Sequence, residues 1–153
     1  MDQKIEMRRG LYSDVTAIRD LTRAAYAKWV DLIGREPRPM TADYEAAIQK
    51  HRFDLILVEG TLAGLIETVI QFENLLIENV AVLPSFQRRG LGRALLTHAE
   101  GLAASSGIKQ IRLYTNRLFA ENIDLYARLG YRMAREEAMA GGIAVHMTKN
   151  LGQ

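Results

Sequence analysis

Apolar residues recur at two spacings along this chain, and the switches between them predict the order of elements. Ile5 to Arg9 reads as a short strand. Behind Ser13, a residue suited to cap a helix, Val15, Ile18, Leu21 and Ala25 fall on one helical face. That helix should end between Trp29 and Gly34. The stretch Arg35-Glu36-Pro37-Arg38-Pro39-Met40 is expected as a surface loop, because two prolines so close together oppose helix. Thr41 is placed to cap a short helix from Ala42 to Lys50, with Tyr44, Ala47 and Ile48 as its apolar side. His51 follows at its end, where a cation suits the helix dipole.

Three strands come next, Phe53 to Glu59, Leu62 to Ile70 and Leu75 to Val82, separated by the turn signals Glu59-Gly60-Thr61 and Phe72-Glu73-Asn74. Such short connections imply an antiparallel meander. Leu95, Leu96, Ala99, Leu102 and Ala103 then return to helical spacing, and Ser105-Ser106-Gly107 supplies the stop. Gln110 to Thr115 alternates as a strand, and Ala120 to Leu129 is a helix closed by Gly130. Tyr131 to Arg135 and Ile143 to Thr148 form two last strands around Gly141-Gly142. The path from the third meander strand through a helix to Gln110 is a βαβ crossover, which makes those two strands parallel neighbours. The expected fold class is α/β: a mixed, mostly antiparallel sheet of six to seven strands, flanked by about four helices, with one parallel pair.

One junction carries chemistry. The strand ending Asn79-Val80-Ala81-Val82 runs through Leu83-Pro84-Ser85-Phe86 into Gln87-Arg88-Arg89-Gly90-Leu91-Gly92-Arg93, and that turn opens directly onto a helix. Glycines at 90 and 92 allow close backbone approach, and the unpaired N–H groups of a helix start attract an anion. A Walker A loop would need Lys-Ser/Thr after Gly92, where Arg93-Ala94 stand. A dinucleotide fingerprint would need a small residue at Leu95 and a strand running straight into the glycines. The remaining pattern, Gln/Arg-x-x-Gly-x-Gly/Ala between strand and helix, fits throughout.

Composition bounds the rest. A chain of 153 residues with 48% hydrophobic content is enough for one core, and a single domain over 1–153 is expected. A net charge of +2, with no basic block beyond Arg88-Arg89, gives no nucleic-acid surface. Without cysteine there is no thiol nucleophile, disulfide or thiolate metal site, and His51, His98 and His146 lack metal-ligand spacing, so no metal is expected. No apolar signal core or run of ~18 uncharged residues occurs, so a soluble, cytoplasmic protein without a membrane partner is expected. Oligomeric state stays open between monomer and homodimer.

The chain from Ile5 onward resembles the GNAT superfamily of acetyl-CoA-dependent N-acetyltransferases. The resemblance rests on Asn79 to Val82 with Gln87 to Arg93, and on Ile123-Asp124-Leu125-Tyr126-Ala127-Arg128-Leu129-Gly130-Tyr131, two blocks in the family's order and spacing. It implies that the backbone of Val80, Ala81 and Val82 pairs with the pantetheine arm of acetyl-CoA. It also implies that Gln87, Arg88, Arg89, Gly90, Leu91, Gly92 and Arg93 form the pyrophosphate cradle. An N–H near Val80 would face the thioester oxygen. Tyr126 aligns with the family's tyrosine that protonates the departing thiolate.

The sequence departs from the family pattern at three places. Phe119 stands where many members have asparagine, and Asn122 where they have alanine. Because Asn122 lies one turn before Tyr126 on the same face, it is taken as a cofactor contact. The branch that acetylates protein alanines carries a glutamate at the position of Tyr114. Glu78, placed by strand alternation on the same face as Val80, is the substitute base. The acceptor side is expected around Asp31 to Tyr44, Glu78 and Tyr114, with His146 a further candidate wall, and Tyr26 and Trp29 as core or loop anchors. The resemblance implies transfer of acetyl from acetyl-CoA to a primary amine of a small molecule or peptide by direct attack. A non-catalytic acyl-CoA-binding sensor or interaction module is the alternative, which the missing strand glutamate keeps open. A nucleotide-binding regulator is a third.

Overall fold

The computed structural model describes residues 3–152. Its sheet has seven strands in the order β1-β2-β3-β4-β5-β7-β6. These are β1 (Ile5–Arg9), β2 (Arg52–Val58), β3 (Thr61–Ile70), β4 (Leu75–Val82), β5 (Gln110–Asn116), β6 (Arg132–Met139) and β7 (Gly142–Asn150). All neighbours are antiparallel except β4 and β5, as the crossover requires. The helices are α1 (Val15–Tyr26), α2 (Val30–Ile33), α3 (Arg38–Thr41), α4 (Tyr44–Lys50), α5 (Leu91–Ser105) and α6 (Ala120–Arg128). Among the described residues no helix is long and apolar enough to cross a membrane.

Strand alternation sends side chains to two cores. On one face Ile18 and Leu21 of α1 and Tyr44 of α4 pack on Phe53, Leu55 and Leu65. On the other, Leu95, Leu96 and Ala99 of α5, with Tyr126 of α6, pack on Ile66, Ile77 and Ile111. Full burial of such side chains contributes roughly 1.5–3 kcal/mol each.

Local chemistry differs from the sequence expectation at the caps. Ser13 sits inside a 3-10 turn (Tyr12–Asp14), and Asp14 precedes α1. The Asp14 carboxylate accepts from the Leu11 amide at 2.8 Å and from Arg8 at 2.9 Å, which holds it below the usual carboxylate range. Thr41 likewise ends α3, and α4 is capped by Asp43, whose Oδ1 accepts from Ala46 N at 3.1 Å. The Pro-rich segment is not wholly loop. Pro37 precedes α3 and Pro39 is its second residue, positions where no intrahelical N–H is needed and the fixed φ suits the turn. β6 also runs on to Met139, past the expected end at Arg135, because the Gly141-Gly142 turn lets it pair along β7.

Two irregularities shape the middle of the sheet. β4 pairs with β5 only from Leu75 to Ile77, beyond which the two strands part and the β5-facing edge of β4 has no strand partner. Between β3 and β4 the register passes from Glu67↔Asn79 to Thr68↔Ile77, leaving Glu78 as the extra residue of a bulge. The bulge reverses the alternation. Val80 and Val82 pack toward the α5 core while Asn79 and Ala81 face α1, so Glu78 does not share a face with Val80 as strict alternation had implied.

Candidate active site

The free edge of β4 leads into the turn. Leu83 N donates to Ala63 O at 2.8 Å, ending the pairing, and a 3-10 turn (Pro84–Phe86) reverses the chain. The Gln87 side chain donates from Nε2 to Val82 O at 3.0 Å, tying the turn to the strand end. Arg88 and Gly90 both have left-handed backbones, at φ 65° and 82°. Left-handed residues in a turn are the backbone feature from which anion-binding nests are built. Ala94 N donates to Gly90 O at 3.0 Å, so the amides of Leu91, Gly92 and Arg93 precede the first intrahelical bond and have no acceptor within the helix. A Cβ on Gly92 would meet nothing nearer than Leu125 Cδ2 at 4.0 Å, which leaves the space in front of these amides open.

Together these elements line a cleft of about 350 Å³. Val80, Ala81 and Val82 form one wall, Gln87, Arg88 and Gly90 the turn, and Leu91, Gly92 and Arg93 the helix start. Asn122 and Tyr126 enter from α6, facing Tyr26 and Trp29 across the cleft. Arg89 stands apart. It is not a cleft residue, and its guanidinium lies over the Phe86 ring, 5.2 Å from the centroid. Leu91 also serves the core, where it is 3% exposed. Phe119, in place of the family's asparagine, stacks on Trp29 at 4.4 Å between ring centroids.

Tyr126 is buried, and loss of solvent alone pushes its hydroxyl up to about 12. It therefore keeps its proton at neutral pH and is available as a donor. Burial pushes Tyr26 up as well.

A second pocket of about 380 Å³ adjoins the first, and Tyr26 lines both. Its hydroxyl donates to Asn79 Oδ1 at 2.8 Å. Glu78 belongs to this second pocket, where its Oε1 accepts the Tyr114 hydroxyl at 2.7 Å. Burial, then the Glu78 carboxylate, raises the Tyr114 phenol. The expected acceptor segment contributes Ile33, Arg35, Arg38 and Tyr44. His146 is not a wall of the pocket. It bonds Glu137 at 2.9 Å and packs against the Tyr114 ring at 5.6 Å.

Sequence reasoning missed one pair. Glu67, on β3, is 3% exposed and lies 2.6 Å from His51 Nδ1 at the wall of this pocket. Burial raises the Glu67 carboxyl against the opposing pull of His51. The available signal was a carboxylate inside the apolar run Leu62 to Ile70, since such groups are rarely buried without a partner. Among the described residues no cluster of His, Cys, Asp or Glu is arranged to hold a metal.

The mixed sheet parts between its one parallel pair, β4 and β5, beside a turn and helix start whose free amides favour an anion. The chain matches the model of the Acetyltransferase (GNAT) family over residues 16–131 and belongs to that family, whose members use acetyl-CoA. It is 35% identical over 75 residues to the ribosomal protein bS18 alanine N-acetyltransferase of Escherichia coli strain K12, covering 49% of this chain and 51% of that one. The chain thus spans about half the length of the curated relatives it matches. Among solved structures, it resembles PaiA N-acetyltransferase of Thermoplasma acidophilum in complex with coenzyme A (TM-score 0.81, 19% identity, 96% and 99% of the two chains). It also resembles the ribosomal-protein-S18-alanine N-acetyltransferase of Escherichia coli (TM-score 0.80, 22% identity, 98% and 96%). At these identities the likeness is one of fold.

Proposed function

We propose that this protein transfers the acetyl group of acetyl-CoA to a primary amine by direct attack, with the donor in the first cleft and the acceptor in the second. The observation that carries this reading is the division of labour between adjoining pockets. The candidate acid, Tyr126, lines the one and the candidate base, Glu78, lines the other, with Tyr26 common to both.

The donor cleft suits its guest in three respects. The free edge of β4 offers backbone groups to an extended amide-bearing chain. The amides at the start of α5 suit a pyrophosphate. Gly92 leaves the approach clear. When bound, acetyl-CoA supplies the acyl group as a thioester. Glu78 takes a proton from the acceptor ammonium, directly or through one water, so that the nitrogen lone pair is free. As the carbon–nitrogen bond forms and the carbon–sulfur bond breaks, Tyr126 would give its proton to the departing thiolate, and the second proton shed by the acylated nitrogen would pass through solvent to restore the Tyr126 hydroxyl. No covalent enzyme intermediate is required.

The test is a thermal-shift titration. At about one hundred times Kd, acetyl-CoA should stabilise the fold by about 2.7 kcal/mol. Gly92→Glu should abolish the shift by filling the cleft with an anion, whereas Arg89→Glu, outside the cleft lining, should retain most of it. An unchanged melting temperature at saturating acetyl-CoA would remove the donor assignment. Binding without thiol release on any amine would favour an acyl-CoA sensor.

A further inference from the structure

Five ionisable side chains line the second pocket: Arg35, Arg38, His51, Glu67 and Glu78. Four have partners in the fold. His51 and Glu67 face each other at 2.6 Å. Arg35 donates to the carbonyls of Glu36 at 3.2 Å, Ala140 at 3.5 Å and Gly141 at 3.2 Å. Glu78 accepts the neutral Tyr114 hydroxyl at 2.7 Å, and neither it nor Arg38 makes an ion pair among the described residues.

They stand on different walls, Glu78 at the β4 bulge and Arg38 as the first residue of α3. Both act on the Tyr114 hydroxyl. After burial, the Glu78 carboxylate raises it and the Arg38 guanidinium opposes that rise. Pro39, Phe119 and Ile143 supply apolar surface to the same pocket.

We infer that the acceptor is a small amine that also carries an acid group, its ammonium held at Glu78 and its carboxylate read by Arg38. The inference rests on the acetyl-transfer reading above and specifies its acceptor. A plain monoamine leaves Arg38 unanswered, and a diamine sets a second cation against it. Selectivity then comes from repulsion as well as attraction. A guanidinium suits a carboxylate because its fork of donors can engage both oxygens.

Size argues the same way. A pocket of about 380 Å³ lies at the lower end of the range for small-molecule sites. Arg35 ties the α2–α3 segment to the β6–β7 turn, which narrows the pocket between these two flanks. The crossing is built closely. Gly141 has φ +86°, and a Cβ there would fall on the Arg35 guanidinium.

Thiol release from acetyl-CoA would be followed with a matched series of acceptors. The series contains amino acids with increasing separation of amine and carboxylate, their carboxamides, aliphatic diamines, and a short peptide with an N-terminal alanine. At least one amino acid should exceed its own carboxamide by about ten-fold or more in kcat/KM, the size expected for a charge-assisted bond. Arg38→Gln should bring that ratio close to one, chiefly by raising KM for the amino acid. Arg38 is exposed, so the variant should fold, and an unchanged melting temperature checks it. Preference for the peptide, a diamine or the carboxamides would overturn the inference and leave acetyl transfer standing, as would an acid preference that survives Arg38→Gln. Absence of turnover with every amine would overturn both.

Discussion

Tyr126 combines a catalytic expectation with a stability signature. Tyr126→Phe should lower kcat by about 10²-fold while leaving acetyl-CoA affinity nearly unchanged, because the hydroxyl is needed only as the thiolate departs. Equal turnover in the two proteins would remove it from the mechanism. Burial raises this hydroxyl from 10.0 to about 12. Between those values the folded state keeps the proton and the unfolded chain loses it. The contribution is therefore present below about pH 10 and falls by up to about 1.4 kcal/mol per pH unit as pH rises toward 12. Denaturant titrations at about pH 9 and 12 should show Tyr126→Phe losing less stability over that interval than the parent protein. At this scale the glycine turn before α5 and the helix that carries Tyr126 were legible in the sequence, because each is a local pattern. The Glu67–His51 pair was not, since its members belong to different elements and meet only through the fold.

The element that ties the core to the donor cleft is the β3–β4 pair. Gly64 has no room for a side chain, because a Cβ would lie 2.8 Å from Ala81 O, 3.1 Å from Ile56 Cγ2 and 3.3 Å from Leu95 Cδ1. The nearest of these is backbone and cannot rotate away. Gly64→Ala should therefore separate β3 from β4 at Ala81 and cost about 1–3 kcal/mol in urea unfolding. It should also weaken acetyl-CoA binding, since Ala81 lies in the strand that lines the cleft. An unchanged unfolding midpoint would contradict this account. The seven strands and the longer helices followed from hydrophobic period and turn residues. The starts of α1 and α4 did not. Asp14 and Asp43 won over Ser13 and Thr41 because the choice depends on where neighbouring amides and Arg8 lie. The bulge at Glu78 was equally hidden, because one added residue leaves an apolar strand looking regular.

Across the whole molecule, the two pockets share an aromatic wall. Trp29, the one tryptophan of the chain, lines the first, while Phe119, stacked on it, lines the second. Acetyl-CoA should shift or quench the tryptophan emission with the same midpoint as its thermal stabilisation. Phe119→Leu should blunt that optical change and raise the acceptor KM several-fold by loosening the shared wall. Emission that ignores saturating acetyl-CoA would separate Trp29 from the donor site.

The proposed donor side was legible in the sequence alone. A strand, a glycine turn and a helix start are contiguous in the chain, so the geometry that favours an anion is fixed by local backbone preference. For the proposed acceptor side the sequence named Asp31 to Tyr44, Glu78 and Tyr114, and the tertiary structure sets how they meet in one pocket. Glu78 was turned away from the face of Val80 by a bulge, and Arg38, Tyr114 and Glu67 were brought to it from α3, β5 and β3. Such a pocket is made of contacts between distant segments, and residue spacing carries no record of them.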